Sequence, residues 1–150
     1  MEFRKVQKCD VGPVHNMMYS SGVELYDYIF RLDKVSATDF IKFEFESGDG
    51  FCGYKNVTVA LEGGRIVGAG CFYDGSSYRK LALGTLKNVF KFYGPIKSWL
   101  VLSRMRHIGS VMRVPKKSEV YLSNFGVCSQ LRGKGIGRGM IEHQYIKTHD

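Results

Sequence analysis

Residues 130 to 140, QLRGKGIGRGM, combine glycine with positive charge in a pattern that suits anion binding. Glycines occupy the alternate positions 133, 135, 137 and 139, and the cationic side chains of Arg132, Lys134 and Arg138 stand among them. A loop without side chains lets a bulky phosphate approach the backbone amides, and it adopts φ values that other residues resist. The spacing therefore predicts a phosphate or pyrophosphate site built from main-chain N–H groups.

The elements around this loop are those that an anion site requires. Residues 119 to 127, EVYLSNFGV, are typical of a strand, and residues from Lys134 to about Thr148 are typical of a helix. Amides in the first turn of a helix have no partner inside the helix, and the helix dipole adds partial positive charge there. The spacing excludes two other kinds of phosphate-binding loop. The dinucleotide-binding pattern G-x-G-x-x-G does not fit, and Gly135 stands where a P-loop needs Ser or Thr.

The first half of the chain reads as a strand, helices and a hairpin. Residues 2 to 8 alternate like a strand with one buried face, and helical patterns follow Pro13 and the predicted cap at Ser36. Two β-branched runs flank Glu62, Gly63 and Gly64, which predicts a hairpin. Inside its second strand, Gly68 and Gly70 leave one face bare, so we expect a bulge or a close neighbour there.

The net charge of +8 is concentrated in one region. Residues 75 to 118 contain 10 basic and no acidic side chains, in two predicted helices, residues 78 to 93 and 96 to 112, separated by Gly94 and Pro95. Three interpretations stay open: a solvated outer face, recognition of an acidic substrate or of a coenzyme phosphate, and a nucleic-acid or anionic membrane surface. The aromatic residues of this stretch have the spacing of core positions rather than of base stacking.

Composition narrows the class of protein. The four cysteines form no C-x-x-C pair and the four histidines form no H-E-x-x-H pair, so we expect no metal site. The sequence lacks a secretory signal and a run apolar enough to span a bilayer, which predicts a soluble cytoplasmic protein. At 150 residues, we expect residues 1–150 to form a single domain.

The glycine loop fits the pattern Q/R-x-x-G-x-G/A at residues 132 to 137, RGKGIG, with a strand before it and a helix after it. In this setting it closely resembles the acyl-CoA pyrophosphate loop of the GNAT superfamily of N-acetyltransferases. The order of a first strand, two helices, a hairpin, a strand and the loop is similar to the family's N-terminal arm. The resemblance implies an α+β fold with a mixed, mostly antiparallel sheet flanked by helices. Here it spans strand 1 to helix 3, with a helical insertion between strands 3 and 4.

The resemblance also implies a function and a set of site residues. The expected enzyme transfers an acetyl group from acetyl-CoA, its cosubstrate, directly to an amine of a small molecule or peptide, without a metal. Backbone groups of Phe125, Gly126 and Val127 would hold the pantetheine arm and polarise the thioester carbonyl as an oxyanion hole. The pyrophosphate would contact the residues of the loop, Arg132, Gly133, Lys134, Gly135, Ile136, Gly137 and Arg138.

The candidates for catalysis are the polar residues of the fourth strand. Many family members carry a glutamate base on the fourth strand, but here the only carboxylate is Glu119 at its beginning, where an exposed structural charge is an equal alternative. Ser123 and Asn124 are the other candidates, orienting a water or the substrate. A covalent role for Cys128 is disfavoured because no histidine lies near it in sequence and direct transfer predominates in the family.

The chain departs from the family pattern at its end. The family continues past this helix with a fifth strand, a further helix that often carries the tyrosine acid, and two closing strands, whereas this sequence stops at Asp150. A fragment of a longer protein, a second chain that supplies the missing half, and a degenerate remnant all fit, so turnover by this form is left open. We predict a homo-oligomer or strand exchange across the exposed edge of the fourth strand.

The alternative function belongs to another class of protein. In it, the basic helical pair, residues 78–117, binds nucleic acid or an acidic partner, and the coenzyme loop is vestigial. Affinity that falls steeply with salt, without stabilisation by acetyl-CoA, would distinguish this binding module from an enzyme.

Overall fold

The computed structural model describes residues 1–149 and shows one antiparallel sheet with helices on both faces, which confirms the predicted α+β class. The strands and helices, in chain order, are β1 (Glu2–Lys5), α1 (Val11–Ser20), α2 (Val23–Phe30), α3 (Ala37–Ser47), β2 (Val57–Glu62), β3 (Arg65–Asp74), α4 (Tyr78–Gly109), β4 (Val120–Val127) and α5 (Ile136–His149). Short 3-10 turns lie before α1, before β2 and between β4 and α5.

The sheet has the order β1-β2-β3-β4, and every neighbouring pair is antiparallel. Helices α1 to α4 cover one face over the larger apolar core. Helix α5 covers the other face over a smaller cluster around Ile136 and Met140. Three helices, rather than the two of the family order, precede the hairpin, and β1 ends at Lys5 instead of residue 8.

The predicted hairpin and helix cap are both present. Gly63 and Gly64 have φ values of 56° and 75°, the left-handed pair that a two-residue hairpin turn requires. At α3, the Ser36 hydroxyl accepts a hydrogen bond from the Asp39 amide at 3.2 Å, and the Asp39 carboxylate accepts one from the Ser36 amide at 3.0 Å. This capping box explains why α3 begins where the sequence predicts it.

The basic insertion is helical, as expected, with a break at Gly94. Gly94 has φ 80° and ψ 171°, and Pro95 follows it without an N–H. The Ser98 hydroxyl lies 2.5 Å from the Gly94 carbonyl and 3.0 Å from the Val89 carbonyl, so it satisfies acceptors beside the break. Tyr93 is buried as predicted, whereas the Trp99 side chain is 68% exposed and contributes little to the core.

No helix within residues 1–149 combines the length and the apolar character that crossing a bilayer requires.

Candidate functional site

The glycine loop leads from β4 through a 3-10 turn, Ser129–Leu131, into α5. Gly133 and Gly135 adopt φ values of 81° and 78°, so the path of the backbone itself requires glycine. A Cβ added at either position would meet nothing within 4 Å, which shows that open space, and not a protein neighbour, faces both residues. The loop therefore presents bare backbone toward solvent.

The amides at the point where this loop enters α5 are available to a ligand. The first hydrogen bond of α5 runs from the Gly139 amide to the Gly135 carbonyl at 2.9 Å, so the amides of residues 136 to 138 have no acceptor inside the helix. Arg132 and Lys134 are exposed beside them. Arg138 instead pairs with Glu142 at 2.7 Å, an exposed contact that contributes little energy. The structure thus combines free amides, a helix N-terminus and two cations.

A β-bulge interrupts β4 just before the loop. Cys71 pairs with Ser123 and Ala69 pairs with Gly126, so Asn124 and Phe125 together face the single residue Gly70. Asn124 has φ 52°, a left-handed conformation that asparagine tolerates better than most residues.

Glycines on β3 make room for this bulge and for α5. A Cβ at Gly70 would lie 2.7 Å from the Phe125 ring, and one at Gly68 would lie 2.9 Å from the Met140 sulfur. The Phe125 ring also contacts the first turn of α5 at Gly137, where an added Cβ would lie 3.2 Å away. The bare face predicted a bulge or a close neighbour, and the structure has a bulge opposite Gly70 and helix α5 against Gly68.

The far edge of β4 has no strand partner among the described residues. The Cys128 amide donates to the Val67 carbonyl at 2.8 Å, which fixes the alternation of hydrogen bonds along β3 and β4. By this alternation the Val127 amide, paired across from Gly68, points away from β3 toward the free edge. An extended ligand can bind along that edge.

The Asn124 side chain connects β4 to the helical layer. The Tyr26 hydroxyl donates a hydrogen bond to Asn124 Oδ1, and Asn124 Nδ2 lies 3.5 Å from the Phe51 carbonyl. The same nitrogen lies 3.5 Å from the Cys52 sulfur and 3.7 Å from the Cys71 sulfur. Burial raises the pKa of Cys71 to about 12, so its thiol is neutral.

A cavity of about 220 Å³ lies between α2, α4 and β4 on the same side as Asn124. Aromatic rings make up much of its wall, from Tyr26, Phe30, Phe51, Tyr73, Tyr78 and Tyr121. Burial raises the pKa of Tyr26 and of Tyr73, so both phenols stay protonated. The Ser123 hydroxyl is buried at the wall near Tyr73 and has no well-formed hydrogen bond to any described residue.

Glu44 is a buried carboxylate on this wall that the sequence analysis missed. It accepts hydrogen bonds from the Cys52 amide at 3.1 Å and from Asn88 Nδ2 at 3.2 Å, and its pKa is raised by desolvation. The signal was present in the sequence, because the buried positions of α3 fall at residues 37, 40, 41, 44 and 45, an apolar stripe into which Glu44 is inserted.

Glu119 lies away from the bulge. It precedes β4, where its carboxylate binds Arg113 Nη2 at 2.7 Å and accepts from the Lys116 amide at 2.8 Å. Asn124 is five residue steps further along the extended chain, or roughly 16 Å away. The structure therefore places Ser123 and Asn124 on the wall of the cavity, at the bulge that precedes the loop, and leaves Glu119 in the turn between α4 and β4.

None of the described residues form a cluster of three or more His, Cys, Asp or Glu side chains suited to a metal ion.

Comparison with known proteins identifies the fold. No family model and no curated protein matches the sequence. Among solved structures, an acetyltransferase matches with a TM-score of 0.66 at 15% identity, over 96% of this chain and 72% of its own. An N-acetyltransferase from Staphylococcus aureus Mu50 matches with a TM-score of 0.63 at 16% identity, over 98% and 76%. A ligand-free mutant of an agmatine N-acetyltransferase gives 0.50 at 20% identity, over 99% and 70%.

The chain therefore has the GNAT-type acetyltransferase fold, as the glycine loop and its flanking elements predicted. The likeness covers nearly all of this chain and about three quarters of the first two neighbours. The lack of a C-terminal part stays a prediction. None of the three neighbours is described as a nucleic-acid-binding protein, so they do not support the alternative function.

Proposed function

We propose that residues 1–150 act as a single catalytic module that transfers an acetyl group from acetyl-CoA directly to an amine. The observation that carries this proposal is the glycine loop, where left-handed glycines and unpaired amides begin a helix inside an acetyltransferase fold. The space beside Gly133 and Gly135 is open, so the residues present fit a diphosphate.

In this proposal the loop binds the coenzyme through its backbone. The loop amides from residue 133 to residue 138 donate to the pyrophosphate, except that of Lys134, which bonds to the Leu131 carbonyl. The side chains of Arg132 and Lys134 add charge beside them. The free edge of β4 at Phe125, Gly126 and Val127 aligns the pantetheine arm and donates to the thioester carbonyl. When bound, acetyl-CoA supplies an acetyl thioester. The amine nitrogen bonds to the acetyl carbon, the carbon–sulfur bond breaks, and the thiolate gains a proton as the amine loses one.

The side chains nearest this reaction are Ser123 and Asn124. Asn124 sits in the bulge, with Tyr26 holding its amide oxygen, and Ser123 lies on the cavity wall with a buried hydroxyl that has no well-formed hydrogen bond to any described residue. Both can orient the amine or a water. Glu119 is occupied by Arg113 and the Lys116 amide, so the geometry favours Ser123 and Asn124 over Glu119. Cys128 has no histidine beside it along the chain, and direct transfer needs no nucleophile from the protein.

The test compares Gly135→Ala with Gly64→Ala. Both glycines have similar φ values, 78° and 75°, and open surroundings, so alanine costs about 1–2 kcal/mol of stability at either position. Only Gly135→Ala places a methyl group on the loop. We expect acetyl-CoA to raise the melting temperature of the unmodified chain and of Gly64→Ala, and to have at least ten-fold weaker affinity for Gly135→Ala.

Equal acetyl-CoA affinity in the two variants would show that the loop is not part of the acetyl-CoA site. No stabilisation of the unmodified chain by saturating acetyl-CoA would count against the proposed function as a whole.

A further inference from the structure

We infer that the acceptor is a primary amine with a single charge, carried on a small apolar or aromatic body. Helix α4 and the turn after it form the wall that selects this acceptor. The acceptor role rests on the proposed function. The class of acceptor rests on the cavity between α2, α4 and β4.

The size of the cavity limits its occupant. Its volume of about 220 Å³ lies below the ~300–1,000 Å³ of sites for drug-sized ligands, so a molecule of one ring and a short chain suits it. One wall is a continuous aromatic panel. The ring of Phe51 lies 5.6 Å from Tyr73 and 5.4 Å from Tyr78, and Tyr73 lies 5.7 Å from Tyr121. Such rings pack well against a flat apolar group.

The opposite wall comes from the helical insertion. The second half of α4 and the turn after it contribute Met105, Ile108, Met112 and Pro115 to the lining, facing Leu25 and Ile29 of α2. Methionine side chains adapt to irregular apolar shapes. The basic stretch that the sequence singled out therefore contributes apolar side chains to the cavity, while most of its charges lie on the exposed surface.

The charges that line the cavity argue against a second cationic group on the acceptor. Glu44 is the one carboxylate among the lining residues, and the Cys52 amide, Asn88 and Thr85 already bind it. The one cation there, Arg113, pairs with Glu119. No free carboxylate is left to hold a guanidinium or a second ammonium, and burying such a group without a partner is costly.

The amine end of the acceptor belongs at β4. Ser123 lies on the wall with a hydroxyl that is buried beside Tyr73 and has no well-formed hydrogen bond to any described residue, and Asn124 next to it marks the bulge along which the thioester would bind. Burial in an apolar cavity lowers the pKa of an ammonium ion, so the amine gives its proton to solvent more readily before acetyl transfer. This effect supplies what a missing base would otherwise provide.

Two primary amines test the class of acceptor by isothermal titration calorimetry with the 150-residue chain. The first is 2-phenylethylamine, which ends in a ring, and the second is agmatine, which ends in a guanidinium. We expect 2-phenylethylamine to bind at least ten-fold more tightly, a difference of about 1.4 kcal/mol. Equal affinity, tighter agmatine binding or no binding of either amine would overturn the inference.

A matched pair of variants tests the wall. Met112 is 47% exposed and lines the cavity, whereas its neighbour Val111 is 78% exposed and does not. Lysine is tolerated at both surface positions, so both variants should fold. We expect Met112→Lys to weaken 2-phenylethylamine binding at least ten-fold and Val111→Lys to leave it within two-fold. Both variants lie in the turn after α4, so equal effects would show that this turn does not form part of the wall.

A second matched pair tests the amine end. We expect Ser123→Ala to weaken 2-phenylethylamine binding several-fold, because the ligand loses a hydrogen bond. Ser129→Ala removes a hydroxyl from the exposed turn after β4 and should change nothing. No loss in Ser123→Ala would contradict the placement of the amine at β4.

Acetyl-CoA binding in the same samples separates the two proposals. Acetyl-CoA binding together with a preference for agmatine overturns the acceptor class and leaves the proposed function standing. Binding of 2-phenylethylamine without any binding of acetyl-CoA overturns the proposed function, and with it the acceptor role of the cavity.

Discussion

Asn124 is the residue on which the geometry of the site depends. Its left-handed backbone opens the bulge in β4, and its side chain links Tyr26, Phe51 and the two buried thiols. Because asparagine adopts this conformation at low cost, a single residue provides both the bend in the strand and the hydrogen bonds that hold it.

Two substitutions at this position separate those contributions. Asn124→Ala loses the hydrogen bonds and forces a left-handed alanine, so we expect the free energy of unfolding to fall by about 2–3 kcal/mol. Asn124→Gly loses the same bonds without the conformational cost, so its loss should be about 1 kcal/mol smaller. Urea denaturation measures both. Identical losses would show that the backbone conformation contributes nothing.

Glu44 predicts a dependence of stability on pH. Its pKa is raised by burial above the ordinary value of 4.5, so the folded state retains this proton when the unfolded state has released it. Its stabilising effect is therefore complete below pH 4.5 and is lost as the pH rises toward the folded-state pKa. Glu44→Gln does not titrate, so this component of the pH dependence should disappear.

The measurement compares urea denaturation of the two proteins between pH 4 and pH 8. Because all other groups are shared, the difference between the curves isolates Glu44, and we expect the original chain to lose stability relative to Glu44→Gln as the pH rises. Parallel curves would mean that the pKa of Glu44 is not raised.

At the scale of elements, β3 packs closely against β4 and α5 because two of its residues are glycines, which have no side chain to block the approach. Gly70 admits the Phe125 ring, and Gly68 admits α5 through Met140. The helix that begins with the glycine loop is thereby packed directly on β3, next to the strand that leads into the loop. The orientation of the loop amides relative to β4 follows from this close packing.

A double-mutant cycle tests this fit. In Gly70→Ala the new Cβ would lie 2.7 Å from the Phe125 ring, so we expect a loss of about 1–3 kcal/mol in unfolding free energy. Phe125→Leu removes the ring edge, and adding Gly70→Ala to it should cost less than adding it to the original chain. As a control, Gly12→Ala in α1 meets no neighbour within 4 Å and should be neutral or stabilising. Strict additivity in the cycle would contradict a direct contact.

At the scale of the whole molecule, the free edge of β4 remains the feature with the clearest consequence. The described residues provide no strand beyond β4, and unpaired edges favour association with another chain. The Gly75 amide donates to the Glu119 carbonyl at 3.2 Å, so by the alternation of antiparallel pairs the amide of Leu122, paired with Phe72, points outward. We therefore predict that the 150-residue chain self-associates, and a single substitution at Leu122 can test this prediction.

We expect the sedimentation coefficient of the chain to rise with protein concentration, and Leu122→Pro to abolish this rise. Proline is tolerated on an edge strand where its missing N–H faces outward. Leu83→Lys alters an apolar residue of α4 that is 65% exposed and should leave association unchanged. Loss of association only in Leu83→Lys would show that the interface lies on α4 and not at the edge of the sheet.

Local chemistry explains what the sequence determined by itself. The glycine loop, the hairpin at Gly63 and Gly64, the capping box at Ser36 and the break at Gly94 all depend on backbone preferences and on contacts within a few residues, so each can be read from a short stretch. These signals predicted the order of the elements, and the resemblance of the glycine loop and of this order to a known family then implied the acetyltransferase fold.

Tertiary structure alone decided the cavity and the contacts of its polar residues. Tyr26 and Asn124 are 98 residues apart in sequence, and Glu44 meets Asn88 across 44 residues. No local preference encodes such pairs, because they arise only when the helical layer packs on the sheet. The same packing paired Glu119 with Arg113 and turned apolar side chains of the basic insertion toward the cavity, since burial of apolar surface depends on which elements meet.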